Sequence, residues 1–143
     1  MLDILIGLQA PSENGWFNLD IRVTNREETQ TTISALPFTW ARSHLVLFDS
    51  FQHWIPPDKN LPILNFGVYD TCPIVLASDE TVCITVKLKV EPFKIQWLHS
   101  HVFTLTPGSY FLCVTGATFL SNYLKFHVSE AGAFEFKIPD SID

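Results

Sequence analysis

Charge is scarce in this sequence. Asp, Glu, Lys and Arg make up 17% of its 143 residues, against a hydrophobic share of 47%. So apolar a chain is not a disordered one. It also has little charge with which to cover its outside, so some apolar surface is expected to be exposed or used in an interface. The formal net charge is −6, and the lysines and arginines stand singly from Arg22 to Lys137. Neutralising a phosphate backbone takes clustered Lys and Arg, so nucleic acid is not an expected partner. An anionic membrane surface is disfavoured for the same reason.

Cysteine is also sparse. Cys72, Cys83 and Cys113 make an odd count of 3 without a Cys-x-x-Cys spacing, so free thiols are expected rather than a disulfide framework. Met1-Leu2-Asp3 lacks the basic start of a secretory signal. There is no Asn-x-Ser/Thr sequon and no apolar run approaching membrane length. A reducing, cytoplasmic setting is the expectation. The Gly-x-Ser-x-Gly, His-Glu-x-x-His, P-loop and dinucleotide fingerprints are missing. The chain is therefore read as non-catalytic and without a cofactor. No stretch sustains a 3.6-residue period.

What is present is alternation. Leu2, Ile4, Ile6 and Leu8 share one face, and so do Phe17, Leu19, Ile21 and Val23, opposite Asn18, Asp20, Arg22 and Thr24. Asn25-Arg26-Glu27-Glu28 reads as a polar turn. Thr31 to Trp40 resumes β character, interrupted by Pro37. Leu45-Val46-Leu47-Phe48 is apolar throughout and fits a central strand. Asp49 to Pro62 reads as a long irregular loop, a kind of segment that is uncommon inside domains and often functional. Short strands are expected over Ile63 to Tyr69 and Ile74 to Ala77. The clearest strand is Thr81 to Glu91, with Val82, Ile84, Val86, Leu88 and Val90 inward and Cys83 outward. Phe93, Ile95 and Trp97 follow, then Leu124, Phe126 and Val128, then Phe134, Phe136 and Ile138. Strict period two with turn-punctuated spacing predicts an all-β sandwich of about seven to nine mostly antiparallel strands. Residues 1–143 fit one domain, which buries roughly 68–70% of its unfolded surface.

One short stretch narrows the fold. Leu105-Thr106-Pro107-Gly108-Ser109-Tyr110 is a Pro-Gly turn followed by a strand with Tyr110, Leu112 and Val114 on one face. It resembles the tyrosine corner of immunoglobulin-like and fibronectin type III sandwiches. That resemblance implies a buried Tyr110 whose hydroxyl bonds to nearby backbone, with Pro107 and Gly108 shaping the turn. Leu112 stands where antibody domains carry a cysteine, two residues after the tyrosine, so the inter-sheet disulfide is not implied. By the same parity Cys113 is expected to face away from the core. The chain is also faintly similar to the BsuPI-type intracellular proteinase inhibitors. Leu19-Asp20-Ile21-Arg22-Val23-Thr24-Asn25, Leu45-Val46-Leu47-Phe48-Asp49 and the Pro-Gly-x-Tyr turn carry the similarity, and inhibition is what it implies.

Few residues suggest chemistry. His99 and His101 project from one face if they lie on a strand, which is a start towards a zinc site, although two ligands do not make one. The plainer reading is a pair of polar residues at a strand end. Cys83 and Cys113 have no basic neighbour at close spacing, and read as packed thiols rather than nucleophiles. Trp97 shares parity with Ile95 and belongs to the core. The loop from Phe51 to Leu61 is the candidate binding surface. It gathers Phe51, His53, Trp54 and Ile55 beside Pro56 and Pro57. Its alternative is structural, with Trp54 and Ile55 folding back to cap the sandwich. The expected function is binding of a protein, either a partner or a second copy, possibilities to which open sheet edges would add strand addition. A carbohydrate-binding module built on Trp54 is the alternative, with a His-based metal-binding protein behind it.

Overall fold

A computed structural model gives the fold and describes residues 2–9, 15–34, 44–58, 73–97, 101–115 and 119–136. The expectations for Pro37, Trp40, Ile63 to Tyr69, Cys72, His99 and Ile138 fall outside the described residues. One five-stranded sheet runs β1 (Leu2–Leu8), β2 (Trp16–Asn25), β7 (Thr81–Glu91), β8 (Lys94–Trp97), β9 (His101–Thr104). The second runs β12 (Phe134–Phe136), β11 (Leu124–Val128), β10 (Gly108–Val114), β4 (Leu45–Asp49), β5 (Trp54–Ile55). β3 (Thr31–Ser34) and β6 (Pro73–Leu76) form a separate pair. Every pairing is antiparallel. The protein is an all-β sandwich. It has twelve strands among the described residues, more than the seven to nine expected, because pieces as short as the two-residue β5 find partners.

The two large sheets meet through the residues that alternation singled out. Ile6, Ile21 and Ile84 lie directly opposite one another across β1, β2 and β7, and all are buried. Leu47, Leu112 and Leu124 form the matching row across β4, β10 and β11. Burying one such side chain stabilises the fold by about 1.5–3 kcal/mol. Trp97 is buried as expected and stacks on Phe103 at 4.6 Å. Phe17 of β2 meets Phe136 of β12 at 5.0 Å between ring centres, joining the two sheets.

Two devices fix one end of the sandwich. At the tyrosine corner, the buried Tyr110 donates its hydroxyl proton to the Thr106 carbonyl at 2.7 Å. Gly108 beside it takes φ +151°, which a side chain would disfavour. At the other device, Pro92-Phe93 closes the hairpin between the paired Glu91 and Lys94. Phe93 has φ +63°, a left-handed conformation that costs a non-glycine residue of order 1–2 kcal/mol. Contacts on both sides hold it there. Its N–H donates to Gly132 O at 3.1 Å, and its carbonyl accepts from Leu105 N at 2.8 Å. Gly132, in the β11–β12 turn, has no side chain because a Cβ would sit 2.6 Å from the Phe93 ring.

Three of the four edges of the two large sheets are partly closed to strand addition. The Asn122 amide accepts from Ile6 N at 2.7 Å and donates to Ile6 O at 3.0 Å, so it occupies one rung of the β1 edge. Asp58 N donates to Val102 O at 2.7 Å on the β9 edge. β5 is two residues long and runs straight into Pro56 and Pro57, which have no N–H to offer a further strand.

Asn25 corrects the sequence reading. It is the last residue of β2, fully buried, and not a solvated turn residue. Its Nδ2 lies 3.0 Å from Thr29 O and 3.0 Å from Leu76 O, and its Oδ1 accepts from Glu27 N at 2.9 Å. It thereby ties β2 to the end of β6. A buried amide is tolerated because these partners satisfy it.

Candidate functional site

The stretch from Asp49 is not irregular, as expected from sequence, but begins as a tight hairpin. Asp49 N donates to His53 O and Gln52 N donates to Asp49 O, both at 3.0 Å. Gln52 takes φ +65°, the left-handed position that closes a three-residue loop of this kind. The Asp49 carboxylate organises the turn: its Oδ1 accepts from the N–H groups of Phe51 and His53, each at 2.9 Å. His53 Nδ1 lies 3.4 Å from its other oxygen. Chiefly the backbone bond from His53 holds the Asp49 carboxyl below its ordinary value; desolvation opposes it, and the Phe51 N–H and the His53 side chain add to the lowering.

This hairpin separates the two roles considered for Trp54 and Ile55. Alternation along β5 sends Ile55 inward, where it packs against the core. Trp54 is sent outward and is 59% exposed, and Phe51 at the turn is 79% exposed. Of Phe51 to Leu61, the last three residues, 59 to 61, lie outside the described residues.

Register then places Trp54 in a row. It pairs with Phe48 of β4, Phe48 pairs with Phe111 of β10, and Phe111 pairs with Lys125 of β11. These side chains all project from the outer face of the second sheet. Tyr123 joins them edge-on to Phe111, with ring centres 6.0 Å apart and planes at 73°, and is 56% exposed. Lys125 Nζ sits 5.9 Å from the Phe111 ring centre. Phe48, Gln52, Phe111 and Tyr123 line a notch of about 220 Å³. Phe48, Phe111, Tyr123, Gln52 and Lys125 were missed by sequence reasoning. The available signal was an aromatic at an outward position: Phe111 alternates with Tyr110 and Leu112, and Phe48 with Leu47.

The neighbouring row on the same face is polar. Ser109, His127 and Glu135 are directly opposite one another across β10, β11 and β12. The order matches a nucleophile, base and acid, but Ser109 Oγ stands 3.4 Å from His127 Nδ1 on an open surface.

The remaining candidates disperse. His101 stacks on Trp97 at 6.0 Å, and His99 lies outside the described residues. Among the described residues no three His, Cys, Asp or Glu side chains gather as metal ligands would. Cys83 and Cys113 are free thiols in different sheets. Cys83 faces outward as expected; Cys113 keeps the outward parity expected of it, lying outside the core cluster, but is fully buried. Extending the Leu112–Leu124 register by one residue puts Tyr123 on one side of Cys113, and Val46 pairs with it on the other. A small side chain between larger ones is covered even on an outer face. Burial pushes its thiol up to about 11, so at neutral pH it is protonated and a poor nucleophile.

Fold and surface together define an antiparallel β-sandwich with an aromatic patch on one outer face. No family model matches the chain, and no curated protein matches it closely enough to stand as a relative. Among the described residues no helix is long and apolar enough to cross a membrane.

Proposed function

We propose that this chain is a non-catalytic, immunoglobulin-like protein-binding module that takes its partner on the outer face of the second sheet. One observation carries the reading: β5 turns Ile55 into the core and leaves the exposed Trp54 in an outward row with the half-buried Phe48 and Phe111. Such a patch costs solubility unless it is covered by a partner. Aromatic anchors are the side chains that dominate binding energy at interfaces. The capped edges of β1 and β9 favour this face over strand addition. Tyr110, bonded four residues upstream, supports the immunoglobulin-like assignment. The free thiols of Cys83 and Cys113 support a reducing, cytoplasmic setting. Self-association and proteinase inhibition are forms the same binding would take.

The edge-on meeting of Phe111 and Tyr123 favours protein over carbohydrate. Sugars stack on flat, open ring faces, whereas two rings at 73° leave a notch that a single apolar side chain fills. The deciding experiment selects a random peptide library and probes a glycan array with the same purified protein, wild type and Trp54→Ala. Selected peptides should lose at least tenfold in affinity for the variant while its melting temperature holds. Glycans retained by the wild type in place of peptides would refute the protein-binding reading.

A further inference from the structure

We infer that two copies of this chain pair through the β12 edge of the second sheet, antiparallel about a two-fold axis at Phe136, with Glu135 of each copy opposite Lys137 of the other. The inference does not rest on the aromatic face and adds a second, self-complementary surface.

Backbone geometry singles out this edge. Asn122 bonds into the β1 edge, Asp58 into the β9 edge, and Pro56 and Pro57 follow β5. At β12, Ser129 N donates to Ala133 O at 2.9 Å, and the register alternates from there. In an antiparallel ladder, hydrogen-bonded and non-bonded pairs follow one another. His127 and Glu135 therefore exchange bonds, whereas Phe134 and Phe136 turn their N–H and C=O groups away from β11. No described residue bonds to those groups. The two phenylalanine side chains pack inward against the core, which leaves Glu135 exposed on the outer face.

The same alternation names the occupant. A strand laid on β12 places one side chain opposite Glu135, between two residues that bond to the edge and face inward. The complementary segment is apolar, basic, apolar. Arg22, Lys87, Lys89, Lys94, Lys125 and Lys137 stand between apolar neighbours in the sequence. All but Lys137 lie on β2, β7, β8 and β11, which are paired on both sides. Phe136-Lys137-Ile138 remains, beside the open edge itself; residues 137 and 138 are outside the described ones.

Only a few registers let Phe134 and Phe136 bond outward. An axis at Glu135 would set that carboxylate against its own copy, and like charges directly opposite are destabilising. An axis at Phe134 would set Phe136 against Gly132, which turns the hairpin at φ +85°. With the axis at Phe136, that residue exchanges backbone bonds with its own copy. Glu135 then meets Lys137 in a non-bonded pair, where side chains approach most closely. Two five-stranded sheets become one continuous sheet, and Trp54, on β5, lies towards its far ends.

Sedimentation equilibrium and hydrogen exchange test this. Wild type should dimerise as its concentration rises. The amides of Phe134 and Phe136 should gain protection with the dimer, while that of Glu135, already bonded to His127, should not change. Glu135→Lys and Lys137→Glu should each weaken the dimer about tenfold, because the axis turns two attractive pairs into repulsive ones. Mixing the two variants should restore dimers, as mixed pairs, to within about threefold of wild type, since opposite charges then face each other again. No repair within one chain produces that recovery. A wild type that stays monomeric up to about 1 mM overturns the inference. So does a dimer that neither single variant weakens, one that mixing does not restore, or one that forms without protecting Phe134 and Phe136. Dissociation by Trp54→Ala instead would put self-association on the aromatic face, and the inference would fail while the protein-binding reading stood.

Discussion

On the outer face of the first sheet, Asp20 accepts from Gln9 Nε2 at 2.6 Å and from Thr85 Oγ1 at 3.0 Å. Thr24 and Thr81 share a hydroxyl hydrogen bond at 2.7 Å, and Lys89 pairs with Glu91 at 3.3 Å while its ammonium lies 5.7 Å from the Trp16 ring centre. On the outer face of the second sheet the central row is Trp54, Phe48 and Phe111. Both faces come from the same alternation of inward and outward residues. One spends its outward positions on groups that satisfy each other and water. The other gives its central row to rings that gain nothing from water. The scarcity of charge in the chain is therefore not spread evenly. It is concentrated where an interface would need it.

The sharpest way to break this contrast is to truncate neighbours on β10. Leu112 is fully buried between Leu47 and Leu124, so Leu112→Ala should cost about 2–5 kcal/mol in urea denaturation. Phe111→Ala removes a larger side chain from the outer face, yet should cost distinctly less, because that ring is only half-buried and lies outside the core between the sheets. Equal losses would mean that the aromatic row is a second core and not a surface.

A smaller effect tests an aromatic that does serve structure. Gly132→Ala would press a Cβ into the Phe93 ring and place alanine at φ +85°. A loss of about 1–3 kcal/mol is expected, with the sheet-to-sheet clasp opened. Thermal unfolding of that variant indistinguishable from wild type would show that the clasp contributes little.

The smallest effect concerns the hairpin that presents Phe51 and Trp54. The Asp49 carboxyl is held below its ordinary value of 3.8, chiefly by the His53 backbone bond. Its contribution is complete above that unfolded value and is lost as pH falls through the lower folded one. Asp49→Asn keeps an acceptor oxygen but no charge. Between pH 7 and pH 3 the variant should therefore lose less stability than wild type. An identical loss in both proteins would detach the hairpin from this carboxylate.

Much of the architecture was legible because period-two alternation is a local property. The inward sets of β1, β2, β7 and β11 lie where the sequence places them. Tyr110 was legible for a related reason: its partner, Thr106, is only four residues away. Asn25 was missed although it continues the inward parity of Leu19, Ile21 and Val23. Its polarity suggested a turn, and its partners at Leu76 and Ala77 are some fifty residues distant.

By itself, then, the sequence determined the longer strands, the face each residue takes within its strand, and the corner at Tyr110. These follow from backbone geometry over a few residues. Only the tertiary structure decided which outward residues become neighbours. Trp54, Phe48, Phe111 and Lys125 are separated by up to seventy-seven residues and share a row because β5, β4, β10 and β11 pair in one register. Cys113 follows the same logic. Its parity pointed outward, and its burial comes from Val46 and Tyr123, placed beside it by pairing. Register is set by the whole sheet closing on its core, and no single strand contains it.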